Sequence, residues 1–186
     1  MSNNGDLATV KIFKFDPDMD EEQRYETFNV PYKGMTVLNI LKSIYHNSDP
    51  DLCFRWGCEG AHDCRCGACA IAVNGRPALA CRRMAEAEML IEPHPKFEVI
   101  RDLVVDFNKI KEDITTKAPS VNINVDADKC VKCADCVSLC PVGVYEIQKG
   151  EIIAAGTEFC CGDTCRQCEI FCQANAITVS LNRGGS

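Results

Sequence analysis

Fifteen of the 186 residues are cysteine, and their spacing is where the chemistry lies. Cys130, Cys133, Cys136 and Cys140 run as C-x2-C-x2-C-x3-C with Pro141 directly after them, the spacing at which thiolates wrap cubane [4Fe-4S] clusters. A shift of 32 residues carries Cys133, Cys136 and Cys140 onto Cys165, Cys168 and Cys172, and Val144, Tyr145 and Ile147 onto Ala176, Ile177 and Val179. The segment is therefore an internal duplication, each copy reading as a cysteine loop, a short helical turn and a strand. Three cysteines within seven residues grip one cube only through a tight loop, and at this spacing the last cysteine of each run crosses to the other cluster. One cubane is predicted on Cys130, Cys133, Cys136 and Cys172, the other on Cys140, Cys165, Cys168 and one more thiolate. The repeat would put that thiolate at position 162, a glycine; Cys161 stands one residue early and Cys160 two. Cys161 asks for the smaller change of loop and is the predicted ligand. With neither in reach, three thiolates would hold a [3Fe-4S] cluster.

A second constellation lies upstream. Cys66 and Cys69 form C-x2-C, and Cys81 follows twelve residues after Cys69, as a plant-type [2Fe-2S] site requires. That spacing would place the remaining ligand at position 61, which is alanine. Cys58 and Cys64 are the candidates; a single residue separates Cys64 from Cys66, so Cys58 is predicted, with residues 61–65 as an enlarged loop. Cys53, Cys64 and Cys160 are then the three non-ligands. Gly57, Gly60 and Gly67 suit a loop whose N-H groups must point at sulfide, although ordinary turns use glycine equally. His62 would need a second histidine for a Rieske site and is expected to face solvent. Zinc knuckles use pairs of C-x2-C but have no use for a third and fourth cysteine at these spacings. Disulfides fit poorly with clustered thiols and no secretory signal.

Lys and Arg number 20 against 27 Asp and Glu, a formal charge of -7, which argues against nucleic acid and for docking on another protein. No apolar run approaches the roughly 20 residues of a membrane span. Thiolates in this number imply a reducing compartment, the cytoplasm by default, or the inner face of a membrane reached through partner subunits.

The elements that must position these sulfurs follow from periodicity. Alternation over 9–15 and 25–30 predicts two strands joined by a turn at Asp16-Pro17-Asp18, and Thr36 caps a helix with the stripe Val37, Ile40, Leu41 and Ile44. Residues 70–73 and 78–81 form a hairpin about Asn74-Gly75, with 89–92 a further strand. Val99, Leu103, Val104, Phe107 and Ile110 read as a helical stripe that packs the first domain on the second. Residues 115–120 are a polar linker, Val121, Ile123 and Val125 a strand, and Lys149-Gly150 a hairpin turn. The predicted class is α+β: a β-grasp [2Fe-2S] ferredoxin domain over 7–114, then a compact ferredoxin-like 2[4Fe-4S] domain over 121–182.

Residues 7–110 resemble the N-terminal domain of the iron-sulfur subunit of succinate dehydrogenase and fumarate reductase. The likeness is carried by the Asp-Pro turn, DPDLCFRWGC, CGAC, NGRPALAC and, above all, IEPHPKFEVIRDLVVDF. It implies a [2Fe-2S] cluster exchanging electrons with the FAD of a fumarate-reductase-like partner subunit. The second half departs from that family, whose C-terminal domain is longer and helical with one [4Fe-4S] and one [3Fe-4S] cluster. Only twenty residues separate Cys140 from Cys161, as in a compact bacterial-type ferredoxin, and the small subunit of adenylylsulfate reductase is similar in this respect. Pro141-Val142-Gly143 also lacks the aromatic and polar groups with which that family binds quinone after its first cysteine run.

No nucleophile-base pair, P-loop or dinucleotide fingerprint is present, so catalysis by this chain alone is not expected. The leading expectation is an electron-transfer subunit with one [2Fe-2S] and two [4Fe-4S] clusters, joining a partner FAD to a further redox protein or a membrane anchor subunit. A free multi-cluster ferredoxin carrier is the alternative. Lys132 and Asp135, inside the first cysteine run, are expected to be solvated charges.

Overall fold

The computed structural model describes residues 7–57, 66–112 and 121–182. Its first strand, β1 (Leu7–Lys14), buries Ala8, Val10 and Ile12 on one face, as period-two alternation requires. It pairs antiparallel with β2 (Arg24–Pro31) across the turn at Asp16-Pro17-Asp18. Thr36 caps α1 (Val37–Asn47), accepting from the Asn39 N–H at 3.3 Å, and the helix turns Val37, Leu38, Ile40, Leu41 and Ile44 into the core. The chain then forms β3 (Ala70–Val73), β4 (Arg76–Leu79) and β5 (Glu88–Pro93). Strand β5 lies parallel to β1, a pairing that needs a long crossover; α1 lies on that crossover and covers the sheet. The five strands run β2-β1-β5-β3-β4. Asn74 and Gly75 both have positive φ, the geometry of a two-residue hairpin turn. Strand β4 ends two residues earlier than alternation predicts, because the Arg82 and Arg83 N–H groups fold back on the Leu79 carbonyl at 3.0 and 2.9 Å. That places Cys81 in a turn.

The predicted helical stripe after residue 97 is instead a β-hairpin, β6 (Phe97–Arg101) with β7 (Val104–Ile110). Two causes act together. Val99, Ile100, Val104 and Val105 are β-branched and favour extended backbone. Asp102, at φ 43, turns the chain and buries its carboxylate, which accepts from the Phe15 N–H at 2.9 Å, the Cys53 N–H at 2.9 Å and the Lys14 ammonium at 3.1 Å. Ile110, counted in the stripe, is exposed. The start of the same phrase does pack on the second half, through His94 and Lys96.

The remaining elements are β8 (Val121–Val125), α2 (Asp135–Leu139), β9 (Tyr145–Gln148), β10 (Glu151–Ala154), α3 (Gln167–Ile170) and β11 (Ile177–Leu181). β8 pairs with β11, and β9 with β10 about Lys149-Gly150. The 32-residue repeat is visible in the backbone: Ala134 and Arg166 both cap a short helix from the left-handed region, at φ 62 and 49. Gly143 and Asn175 match likewise, at φ 58 and 49. The linker 115–120 lies outside the described residues.

Candidate metal centres

In the first half, the Ala80 N–H donates to the Cys69 carbonyl at 3.0 Å and draws the Cys81 turn against the start of β3. That turn is also docked on α1, where the Val37 and Leu38 N–H groups donate to the carbonyls of Arg83 and Ala80 at 2.8 and 2.9 Å. These are donors that a helix leaves without internal partners. Hydrogen bonding from Cys81 outweighs burial and holds the Cys69 thiol well below its ordinary range, which favours the thiolate that a metal needs. Cys66 is exposed on the adjoining loop. A Cβ on Gly57 would come within 3.3 Å of the Cys66 sulfur, so the backbone before the loop already lies against that thiol. Asp102 fixes this approach through the Cys53 N–H, and Leu103 donates to the Cys53 carbonyl at 3.1 Å. Cys69 and Cys81 thus stand together, with Cys66 on the loop that leads into them; Cys58, Cys64, Gly60 and His62 lie outside the described residues.

The second half holds two cavities of nearly equal size, about 410 and 380 Å3 including their mouths. One is lined by Cys130, Cys133, Cys136 and Cys172, with Cys168 at its wall. The other is lined by Cys140, Cys160, Cys161, Cys165 and Cys168. The last cysteine of each run does stand with the other run. Among the described residues no three His, Cys, Asp or Glu side chains converge on one metal-ion position.

Electrostatics fit the same group. Burial pushes the thiols of Cys136, Cys165 and Cys168 up, that of Cys160 to about 12, and that of fully buried Cys161 well above its ordinary value, with neighbouring thiols adding to the rise. Such a crowd cannot ionise unaided; a cationic iron-sulfide core would neutralise it as the protons leave. Backbone N–H groups are already aimed at sulfur: Val144 donates to Cys140 and, 32 residues on, Ala176 to Cys172, both at 3.3 Å.

The seam between the halves runs beside these sites. A Cβ on Gly67, between Cys66 and Cys69, would lie 2.1 Å from the Pro141 Cβ, next to Cys140. The Leu79 N–H donates to the Thr164 hydroxyl at 3.0 Å, and the Arg82 guanidinium to the Cys165 carbonyl at 3.3 Å. Lys96 reaches the carbonyls of Val142 and Gly143 at 2.6 and 2.9 Å. Buried His94 bonds the Phe159 carbonyl at 3.2 Å through Nε2 and accepts from the Lys96 N–H at Nδ1, the pattern of a neutral ring. Burial, aided by Lys96 and Lys111, holds that ring down to about 4. Sequence reasoning missed Thr164, Arg82, Lys96 and His94 as seam residues; the only signal was the run Pro93 to Lys96. Lys132 is solvated as expected and pairs with Glu151.

No helix among the described residues is long and apolar enough to cross a membrane. The chain is 34% identical over 122 residues to the fumarate reductase iron-sulfur subunit of Haemophilus influenzae, covering 63% of this chain and 46% of that one. It is 29% identical to a subunit of the fumarate reductase (CoM/CoB) of Methanothermobacter marburgensis, over 89% of this chain and 41% of the relative. With the fumarate reductase iron-sulfur subunit of Wolinella succinogenes the identity is 29%, over 82% of this chain and 73% of that one. The chain therefore spans less than half the length of the first two relatives. Residues 122–145, which carry the first cysteine run, match a 4Fe-4S binding domain. Residues 9–112, more than half of the chain and the stretch that gathers Cys66, Cys69 and Cys81, match the 2Fe-2S iron-sulfur cluster binding domain, and the chain belongs to that family.

Proposed function

We propose that this chain is the electron-transfer subunit of a flavoprotein oxidoreductase complex resembling succinate dehydrogenase and fumarate reductase. Residues 7–114 act as a β-grasp [2Fe-2S] domain and 121–182 as a compact two-cubane ferredoxin domain. Cys58, Cys66, Cys69 and Cys81 hold the [2Fe-2S] group. Cys130, Cys133, Cys136 and Cys172 hold one [4Fe-4S] group; Cys140, Cys165, Cys168 and one thiol of the Cys160-Cys161 pair hold the other. Bound clusters supply one-electron carriers, and the protein tunes them by burial, hydrogen bonds to sulfur and nearby charge. The substrate chemistry falls to a FAD-containing partner, with a further redox protein or membrane anchor subunit at the other end.

One observation carries this reading: the loop of Cys66 and Cys69 packs through Gly67 directly on Pro141, beside Cys140. The Gly67 backbone lies against the Pro141 ring there, which brings the first site close to the nearer cubane cavity. Arg82, one residue past Cys81, reaches the Cys165 carbonyl and brings a cation to the same junction. Anaerobically purified full-length chain is expected to carry about ten irons and matching sulfide, with one [2Fe-2S] and two cubane paramagnetic signals on reduction. Purified at native expression level, it is expected to bring down a flavin-bearing subunit. A chain that runs alone on gel filtration from such extracts overturns the subunit role in favour of a free carrier, and zinc in place of iron overturns both.

A further inference from the structure

We infer that the fourth thiolate of the second cubane comes from Cys160, and that Cys161 is a non-ligating thiol built into the seam between this cubane and the [2Fe-2S] site. The inference rests on the cluster reading above and decides which member of an adjacent pair serves it.

Loop length favours Cys161, but the surroundings of the two thiols favour Cys160. Phe159 packs toward the first half, its ring 6.4 Å from that of His94 and 5.3 Å from the Lys96 ammonium. Cys160, next in the chain, is extended, at φ -66 and ψ 131, and lines the cavity of Cys140, Cys165 and Cys168. The three thiols whose charge acts on Cys160 are those same three, Cys168 foremost. Its sulfur also accepts the Gly162 N–H at 3.4 Å, as Cys140 and Cys172 accept theirs.

Cys161 is placed differently. It touches the same cavity but, unlike Cys160, also lines a second one with Val73, Ala78, Val121 and Gly162. The thiols acting most on it are Cys165, Cys160, Cys140 and, across the seam, Cys69 of the first site. Its carbonyl accepts from the Thr164 hydroxyl at 2.6 Å, which in turn accepts from Leu79. Cys161 therefore fills the junction that Thr164 fastens.

The test uses the full chain prepared anaerobically with iron and sulfide. Cys160→Ala is expected to lose one iron per chain and to convert the second cubane to a three-iron cluster, visible as a new signal in the oxidised protein. Cys161→Ala is expected to keep the full iron load and all three reduced-state signals. The [2Fe-2S] signal reports that the seam has folded in each variant. Should Cys160→Ala fail to fold, the isosteric pair decides: Cys160→Ser alters the second cubane's spectrum and Cys161→Ser leaves it unchanged. Iron loss in the Cys161 variant with retention in the Cys160 variant overturns the assignment while leaving the cluster reading intact, as does retention in both. Zinc in the unsubstituted chain overturns both at once.

Discussion

The two cysteine-lined cavities of the second half come from the two copies of one repeat and sit in opposite surroundings. In the first loop Val131 is 71% exposed, Cys133 faces solvent, Lys132 forms an exposed ion pair and Asp135 is exposed. Thirty-two residues on, the counterpart of Lys132 is Thr164, buried and bonded across the seam, and the counterpart of Asp135 is Gln167, also buried. Cys165, the counterpart of Cys133, offers its carbonyl to Arg82. The copies share left-handed backbone at Ala134 and Arg166 and at Gly143 and Asn175, but differ where the cysteine runs begin: Lys132 is left-handed and Thr164 is not, while Gly162 is left-handed and Cys130 is not. One copy of the repeat thus forms a docking surface for the first half while the other stays open. On the proposed reading, an electron path would have one end against the [2Fe-2S] site and the other against solvent.

The largest expected effect separates the seam from the open cavity. Cys66→Ser should abolish the [2Fe-2S] signal and leave both cubane signals, as read by paramagnetic resonance of the reduced chain; retention of the signal would move that ligand to Cys64. Next is Gly67→Val, which must place a branched side chain at φ 62 against Pro141. Left-handed strain and overpacking together should cost about 4 kcal/mol. Gly34→Ala, at φ 71 with nothing within 4 Å, should cost only about 1 kcal/mol of backbone strain by the same denaturation measurement.

His94 gives the seam an acid sensitivity that the open cavity lacks. Its ring titrates near 6.5 when unfolded and at about 4 when buried, so between these values the unfolded chain binds the proton and the folded chain does not. The stability of the neutral ring is fully present above pH 6.5 and is lost progressively down to pH 4, about 3 kcal/mol in all. Denaturation of the chain against His94→Gln across that window should show the difference shrinking as pH falls. A constant difference would mean that the ring is not held neutral.

How much of this was legible depends on whether local pattern or distant partners decide the structure. The cysteine spacing gave the crossing of Cys140 and Cys172 because the loop geometry is local and repeated. Thr36, Asn74-Gly75 and Lys149-Gly150 were readable for the same reason, each fixing its own turn. The hairpin at 97–110 was not, because Val99, Leu103 and Phe107 also fit helical spacing, and the deciding residue, Asp102, is anchored by Lys14, Phe15 and Cys53 far along the chain. The seam was hidden likewise: Thr164 reads as a loop threonine until Leu79 is seen above it. Cys160 and Cys161 could be separated only by the groups that surround each one.

The smallest effect is the most direct test of the two loops as unequal copies. Thr164→Val keeps the size of the side chain but strands the Leu79 N–H, and leaves the Cys161 carbonyl with only the residue-164 N–H at 3.3 Å. Leaving buried groups unpaired should cost about 1 to 2 kcal/mol. Lys132→Ala at the equivalent position removes only an exposed pair with Glu151 and should cost below about 0.5 kcal/mol. Equal costs in chemical denaturation would mean that the seam is not closed in solution, because an open seam would let water satisfy Leu79 as readily as it already serves Lys132.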